Sequence, residues 1–202
     1  MTTTRIHLIR HGQVEGYDQP RYNGQSDVKL TDLGISQYQL LRERFSTYDI
    51  SACYTSDLSR CVVGAEIISE QFEIQPIRRS QLRELDIGLW EGLIWEEILR
   101  RWPEEWQARL ADLPRYRPLG GENLLDLEAR VMPVIDEILN KNCGREILVV
   151  AHGGVNRIIL LNVIGAPLEK MFNIEQNYGC HNIIDFHTDG AATVKLLNGL
   201  PA

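Results

Sequence analysis

Two short apolar segments of the chain end in a histidine followed by a glycine. Ile6–Ile9 leads through Arg10 to His11, and Ile147–Ala151 leads directly to His152. Branched apolar runs that stop at a glycine-bearing turn are typical of buried strands, and in open α/β proteins ligands bind at the carboxyl ends of such strands. We therefore expect the two imidazoles to converge on one site, where an imidazole can act as a nucleophile, a base or a cation.

Arginines near these histidines favour an anionic substrate. A phosphomonoester carries negative charges that must be countered before a nucleophile approaches, and the planar guanidinium fork suits its equatorial oxygens. Arg10 precedes His11, and Arg60 lies in the first turns of a predicted helix. A neutral imidazole whose other nitrogen donates to a carbonyl can accept the phosphoryl group in line and form a phosphohistidine. No metal is required, because arginines and histidines supply the charge that Mg²⁺ supplies in kinases.

The composition is that of one globular domain. The chain has 202 residues, of which 44% are hydrophobic and 24% charged, so we expect a single domain over residues 1–202. Its net charge of −7 disfavours nucleic acid and membranes as partners. The four cysteines lack CxxC spacing, which predicts reduced thiols and no zinc site. Without a membrane-length apolar stretch or a signal-peptide core, we expect a cytoplasmic protein.

Strand and helix patterns alternate along the chain, which predicts a layered α/β domain. Strands are predicted at about residues 5–9, 51–54, 146–151, 181–187 and 192–196. Helices are predicted at about residues 31–45, 58–68 and 122–142, from about Ile94, and after Gly154. Pro133 is expected to kink the third of these helices.

The first two helices have recognisable caps and inward faces. Thr31 and Asp32 are expected to cap the first, and Thr55-Ser56-Asp57 the second. The inward residues of the first helix are predicted to be Leu33, Leu40, Leu41 and Phe45. Those of the second are predicted to be Leu58, Cys61, Val62, Ala65 and Ile68.

The segment at about residues 85–121 is irregular in pattern. It holds the four tryptophans of the chain together with Pro103, Pro114 and Pro118. We interpret it as an excursion from the sheet that forms a lid or a pocket wall. The tryptophans are expected mainly to pack, with one or two available to contact an aromatic or sugar-bearing substrate.

The chain resembles a full-length member of the histidine phosphatase superfamily over roughly residues 5–186, because four motifs occur in that family's order. The motifs are Arg10-His11-Gly12, Arg60 after Thr55-Ser56, Glu84 before Gly88-Leu89-Trp90-Glu91-Gly92, and Ala151-His152-Gly153-Gly154. The resemblance implies a phosphoglycerate mutase-like fold, which is a three-layer α/β/α sandwich with a mostly parallel central sheet. It also implies a phosphatase that needs no metal or other cofactor.

The resemblance assigns a role to each catalytic position. His11 would accept the phosphoryl group, and His152 would stabilise the transferring oxygens as a cation kept protonated by the phosphate itself. Glu84 stands where the family places the acid that protonates the leaving oxygen and then acts as base for water. Arg10 and Arg60 would hold the phosphate.

Two further phosphate ligands are predicted from residues outside the arginines and histidines. Many members carry Trp-Asn shortly after the first motif, and that asparagine helps to hold phosphate, whereas this chain has Gly16-Tyr17 there. Asn23 is the substitute amide that we predict. The backbone of Gly153 is the other predicted ligand, since amides that open a helix carry partial positive charge.

The residues after Glu84 favour a phosphatase over a mutase. Cofactor-dependent phosphoglycerate mutases have Arg-His-Tyr-Gly there to hold a second acidic group, whereas this chain has Leu85-Asp86-Ile87-Gly88. Water is therefore the expected phosphoryl acceptor. The segments around Arg83–Ile98 and Gln176–Asp185 are similar to the α-ribazole phosphatases of cobalamin assembly, and broad-specificity sugar phosphatases share most of these residues.

Other functions remain as alternatives. A metal hydrolase is disfavoured because the chain has no HExxH motif, and a catalytically silent binding module normally loses a core residue. The expected partner is a small phosphorylated substrate, and a homodimer is left open. Of the remaining histidines, His7 is expected in the core or sheet and His187 on the surface, while His181 could line the pocket.

Overall fold

The computed structural model describes residues 2–19 and 21–201, and within them six strands form one sheet. The strands are β1 (Thr3–Arg10), β2 (Ile50–Thr55), β3 (Ile77–Arg78), β4 (Glu146–Ala151), β5 (His181–His187) and β6 (Ala192–Gly199). Their order across the sheet is β3-β2-β4-β1-β5-β6. The first four pair in parallel, and β5 and β6 are antiparallel additions beside β1. The sheet is mostly parallel, as predicted.

The described part of the chain also contains six α-helices. They are α1 (Asp32–Phe45), α2 (Ser59–Ser69), α3 (Trp95–Arg101), α4 (Pro103–Ala111), α5 (Leu124–Lys141) and α6 (Gly153–Ile164). One apolar cluster joins α1 and α2 to one face of the sheet, and a second joins α5 and α6 to the other. This arrangement confirms the three-layer α/β/α sandwich.

The strands β1 and β4 lie side by side at the centre of the sheet. Arg10 is in register with Ala151, and the N–H of His11 donates to the Ala151 carbonyl oxygen at 3.0 Å. The chain therefore leaves both strands at one level of the carboxyl edge, which places His11 and His152 next to each other. Ordinary parallel pairing is sufficient to produce this proximity.

The start of α1 is as predicted, but part of its inward face is not. The Thr31 side chain accepts a hydrogen bond from the N–H of Gly34 and so caps the helix. Leu41 and Phe45 are buried, whereas Leu33 and Leu40 are 53% and 39% exposed. Tyr38 takes an inward position instead, because its hydroxyl donates to the Arg60 carbonyl oxygen at 2.8 Å and its burial therefore leaves no polar group unpaired.

The predicted cap of α2 was wrong, although its predicted inward residues are all buried. The helix begins at Ser59, and the residue before it makes no side-chain cap. The carboxylate of Asp27 accepts from the Ser59 N–H and hydroxyl, both at 2.8 Å. A residue distant in sequence thus caps the helix in place of the predicted Thr55-Ser56-Asp57.

The excursion contains two helices rather than the one expected. Pro103 occupies the first turn of α4, where a missing N–H costs nothing. Trp90 and Ile98 form a small core with neighbouring rings of the excursion. Pro133 lies within α5, which continues through it, and an Asn123–Asp126 capping box starts that helix.

Other expectations concern the surface and the thiols. Within the described residues all four cysteines are free, and three of them are buried. No described helix is long and apolar enough to cross a membrane. The last strand is three residues longer than predicted, ending at Gly199.

Candidate active site

The imidazoles of His11 and His152 lie next to each other at the carboxyl edge of the sheet. Their ring centroids are 5.3 Å apart, with the rings inclined by 63°. His11 is 6% exposed and His152 is fully buried. The convergence inferred from the two strand ends is therefore present in the structure.

His11 is held as a neutral imidazole with one free ring nitrogen. Its Nδ1 lies 2.9 Å from the Gly12 carbonyl oxygen, and a carbonyl can only accept, so the proton is on Nδ1. Burial, followed by the charges of Arg10 and Arg60, holds the pKa of His11 well below its ordinary value of 6.5. Nε2 therefore carries a lone pair at neutral pH, as a nucleophile requires.

His152 is neutral in the unliganded site for the same reasons. Burial and the nearby Arg60 are the main causes that hold its pKa well below 6.5. Its Nε2 is 2.8 Å from the hydroxyl oxygen of Ser56, and the Cys61 thiol also contacts the ring. The cation expected at this position thus requires the negative charge of a bound phosphate.

Arg60 is buried to 2% exposure and held by two backbone carbonyls. Its terminal nitrogens donate to the oxygens of Ser26 at 2.7 Å and Gly24 at 2.8 Å. Its buried Nε–H finds no protein acceptor among the described residues. Arg10 is similar, since Nη1 donates to the Gln176 carbonyl oxygen, the guanidinium lies 4.1 Å from the Tyr178 ring centroid, and Nε is unpartnered within residues 2–19 and 21–201.

These two orphaned donors are informative because buried N–H groups are nearly always satisfied. Neither guanidinium has a carboxylate partner among the residues that the structure describes. Two cations with free donors beside two neutral imidazoles form a site that lacks a negatively charged partner. A tetrahedral oxyanion would accept from the free donors and balance the positive charge.

The carboxylate of Glu84 lies across the same site and contacts the start of α6. Its oxygens accept from the backbone N–H of Leu85 at 2.9 Å and of Gly154 at 3.0 Å. A Cβ at position 154 would be 2.2 Å from Glu84 Oε1, so only glycine allows this approach. The predicted acid and the second glycine of the His152 motif are thus in direct contact.

The two further predicted phosphate ligands, Asn23 and the Gly153 backbone, also lie at the site. Asn23 lines the cleft around His11, with its backbone oxygen in a turn that accepts from Ser26 N–H at 2.9 Å. Gly153 begins α6, and a Cβ there would be 3.3 Å from Arg10 Nε and 3.1 Å from Arg157 Nη1. The turn therefore has little room for a side chain beside these cations.

The family model for the histidine phosphatase superfamily, branch 1, matches residues 6–199. The chain belongs to the histidine phosphatase superfamily. It is 27% identical over 178 residues to phosphoserine phosphatase 1 of Hydrogenobacter thermophilus, covering 88% of this chain and 82% of that protein. It is 32% identical to a metal-independent phosphoserine phosphatase of Arabidopsis thaliana, with 86% and 75% covered.

Solved structures agree with this membership. The α-ribazole phosphatase from Shigella flexneri superposes with a TM-score of 0.88 at 26% identity, with 96% of each chain covered. The chain spans about half the length, 54%, of three longer mycobacterial relatives that are 30% identical. The protein is thus an enzyme of phosphatase type.

Sequence reasoning missed a third arginine of this phosphatase, Arg157. It lies one helical turn after Gly153, on the same face of α6, and that spacing was the available clue. Its Nε donates to the Ile174 carbonyl oxygen at 2.7 Å, and burial together with Arg10 lowers its pKa. Within the described residues it forms no ion pair with a carboxylate.

The side chains of Arg10, His11, Arg60 and Glu84 line a cleft of about 970 Å³, counting its part open to solvent. The excursion supplies one wall, including Trp90, Arg109 and Tyr116. The guanidinium of Arg109 lies 5.2 to 5.9 Å from the ring centroids of Trp106, Phe172 and Tyr22. The wall is therefore both aromatic and cationic.

The remaining histidines lie away from the cleft. His181, which was left open as a pocket residue, is fully buried, with its Nε2 3.0 Å from Nδ1 of His7. His7 also lies 3.2 Å from a Glu146 oxygen and is a core histidine, as predicted. His187 contacts the Thr3 hydroxyl at 3.0 Å and is partly buried. The described residues contain no group of three or more potential metal ligands.

Proposed function

We propose that the protein hydrolyses phosphomonoesters without a metal, through a phosphohistidine on His11. The observation that carries this proposal is the neutral imidazole of His11, with Nε2 free, between two guanidinium groups with orphaned buried donors. In the first step Nε2 attacks phosphorus, and the bond from phosphorus to the ester oxygen breaks. Arg10 and Arg60 hold the equatorial oxygens, with Asn23 and the Gly153 backbone as further ligands.

His152 and Glu84 manage charge and protons in this scheme. The phosphate dianion raises the proton affinity of His152, whose imidazolium then stabilises the transferring oxygens. Glu84 gives its proton to the leaving alkoxide and afterwards takes one from water. That water attacks phosphorus, the bond from phosphorus to Nε2 breaks, and inorganic phosphate leaves with the imidazole restored.

We propose two substrate classes, each favoured by a different part of the cleft. The rings of Trp90, Tyr116 and Phe172 suit an aromatic leaving group such as that of α-ribazole 5′-phosphate, in line with the likeness to the Shigella enzyme. Arg157 and Arg109 suit a leaving group that carries a carboxylate, as phosphoserine does, in line with the two phosphoserine phosphatases.

Water rather than a second substrate is the proposed phosphoryl acceptor. In the segment after Glu84, the Asp86 side chain accepts from the Gly88 N–H at 2.9 Å and its backbone oxygen from the Glu122 N–H at 2.7 Å. Asp86 thus shapes a turn and supplies no cation for a second acidic group. A coupled assay with 3-phosphoglycerate should show phosphate release to water exceeding transfer.

The central test is to trap the phosphoenzyme. With a ³²P-labelled substrate quenched in base, wild type should retain an acid-labile label, and His11→Ala should retain none and lose turnover of p-nitrophenyl phosphate. His187→Ala is the matched control and should behave as wild type. Activity should survive EDTA. Wild-type turnover by His11→Ala would refute the mechanism.

Substrate class is tested with compounds that differ by one group. O-Phosphoserine is compared with O-phosphoethanolamine, and 3-phosphoglycerate with glycerol 3-phosphate, each beside α-ribazole 5′-phosphate. If Arg157 holds a carboxylate, Arg157→Met should lower kcat/KM for the carboxylate member of each pair by about tenfold or more, and leave its partner nearly unchanged. Equal losses on both members would assign Arg157 to the phosphate itself.

A further inference from the structure

Glu91, which has no part in the proposed chemistry, connects the excursion to a loop beside the phosphate site. One carboxylate oxygen accepts from the Gln25 N–H at 2.7 Å, and the other accepts from the Ser26 hydroxyl. Gly24 packs directly on this carboxylate, because a Cβ there would lie 2.3 Å from Glu91 Oε1. Three consecutive loop residues are therefore fixed by one side chain of the excursion.

The same loop holds Arg60 in two ways. The carbonyl oxygens of Gly24 and Ser26 accept from its terminal nitrogens at 2.8 and 2.7 Å. Asp27, the next loop residue, caps α2 through the Ser59 N–H and hydroxyl, so the helix that bears Arg60 is anchored as well. These contacts occupy both terminal nitrogens and leave the buried Nε–H without an acceptor among the described residues.

We propose that Glu91 is a positioning residue for the phosphate site, which acts by holding the Gly24–Asp27 loop that orients Arg60. The inference rests on the proposed role of Arg60 as a phosphate ligand. It gives the excursion a second role besides forming a wall of the cleft, since Glu91 would set the position of an arginine in α2. A displaced guanidinium loses the alignment that charge-assisted hydrogen bonds require.

The positioning role and simple electrostatics predict opposite changes in phosphate affinity when Glu91 is removed. Glu91 is an anion near an anion-binding site, so through-space repulsion alone means that its removal should tighten phosphate binding. If Glu91 acts by positioning Arg60, its removal should weaken phosphate binding. The direction of the change therefore separates the two explanations.

The probe is inorganic phosphate as a competitive inhibitor of p-nitrophenyl phosphate hydrolysis. Glu91→Ala should raise the inhibition constant by about tenfold, since alignment of a charged hydrogen bond is lost. Glu91→Gln should stay within about threefold of wild type, because its oxygen still accepts from Gln25 and its amide can donate to Ser26. Glu97→Ala removes an equal charge from an exposed ion pair with Arg101 in the same excursion and should leave the constant unchanged.

A double-mutant cycle with Arg60→Gln tests whether the effect passes through Arg60. Glu91→Ala should add little in the Arg60→Gln background. An equal rise in both backgrounds, or an unchanged or lower constant in Glu91→Ala alone, overturns the inference. If Arg60→Gln itself leaves the constant unchanged, the proposed role of Arg60 fails and the inference fails with it. Thermal unfolding shows whether each variant is folded. If Glu91→Ala does not fold, Ser26→Ala tests the inference in its place, and a smaller rise in the inhibition constant is expected.

Discussion

At the level of single residues, the site combines neutral imidazoles with surplus positive charge. Burial disfavours the charged form of His11 and His152, and Arg10 and Arg60 add repulsion, so both pKa values are lowered. A nucleophile benefits, because a protonated imidazole cannot attack phosphorus. A phosphate dianion would counter the same positive charge, so substrate binding is expected to raise the pKa of His152.

This state of the free enzyme predicts how the imidazoles titrate. In NMR spectra of ¹³C-labelled protein, His11 and His152 should keep neutral-form shifts as the pH falls through 6.5, since their pKa values lie well below it. On adding inorganic phosphate, His152 should move toward the charged form while His11 stays neutral. In urea both should titrate near 6.5, the value for exposed histidine. Titration of folded His11 near 6.5 would contradict the electrostatic account.

The positions of His11 and His152 at the sheet edge could be predicted because the local sequence sets them, whereas the assignment of Arg60 and Glu84 rested on the whole set of motifs. A histidine at the end of a buried strand must emerge at the sheet edge, so His11 and His152 needed no tertiary information. Arg157 and Glu91 could not be found the same way. The proposed role of Glu91 comes from its contacts with the Gln25–Ser26 turn, which no local pattern encodes. For Arg157 the helical spacing after Gly153 was the available clue, and its contact with Ile174 could not be read from the sequence.

At the level of elements, α5 fixes the segment that carries the proposed acid. Arg130 of α5 donates to the carbonyl oxygens of Gln81, Arg83 and Glu84 at 2.7 to 2.8 Å. It also forms a two-bond ion pair with Glu122 at 2.7 and 2.9 Å. A bidentate guanidinium with three further carbonyl partners holds a loop in one conformation more firmly than an exposed pair does.

Loss of these Arg130 contacts should affect proton donation by Glu84 more than phosphate binding. Arg130→Met should reduce kcat for an alkyl phosphate by about tenfold, because its leaving oxygen needs the aligned proton of Glu84. p-Nitrophenyl phosphate has a stable leaving anion and should be affected much less. Arg117→Met, which breaks an exposed ion pair with Asp126, is the control. Equal losses on both substrates would show that Arg130 has no specific link to the acid.

The contact between α1 and α2 depends on a glycine. A Cβ at Gly64 would lie 1.8 Å from Tyr38 Cζ, and the Tyr38 hydroxyl donates to the Arg60 carbonyl oxygen. Within a helix, replacing glycine by alanine usually stabilises by about 0.5–1 kcal/mol. Here overpacking should reverse the sign, and Gly64→Ala should lower the free energy of unfolding by about 1–3 kcal/mol.

Urea unfolding measures this change. The cost of Gly64→Ala should shrink when Tyr38→Leu makes room for the methyl group, and a double-mutant cycle gives the coupling between the two positions. A cost that is the same in both backgrounds would place the strain elsewhere.

At the level of the whole molecule, local patterns predicted most of the elements but missed β3, α4 and the long-range partners. Alternating strands and helices with turn glycines were sufficient for the α/β sandwich and for Thr31 as a cap. The cap of α2 was missed because Asp27 arrives from another loop, and Leu33 and Leu40 were misplaced because Tyr38 could satisfy its hydroxyl inside. In each case a tertiary hydrogen bond decided the outcome.

The fold also buries a histidine pair that should make its stability depend on pH. Burial is the main cause that lowers the pKa of His7 and His181 to about 3, in a cluster with Arg5, Glu146 and Asp185. In the unfolded chain histidine titrates near 6.5, so between pH 6.5 and 3 the unfolded state binds more protons. This contribution is fully present above pH 6.5, and the free energy of unfolding falls as the pH decreases below that value.

Replacing one member of the pair should flatten this dependence. Below pH 6.5, His181→Asn should reduce the slope of unfolding free energy against pH by about 1.4 kcal/mol per pH unit, the contribution of one histidine that is neutral when folded and charged when unfolded. Urea unfolding at a series of pH values measures that slope. Leu41→Ala, which removes buried volume from the adjoining core without a titratable group, should lower stability equally at every pH. If His181→Asn and Leu41→Ala give parallel curves, the buried pair is not a source of acid sensitivity, and the loss of stability in acid must come from other groups.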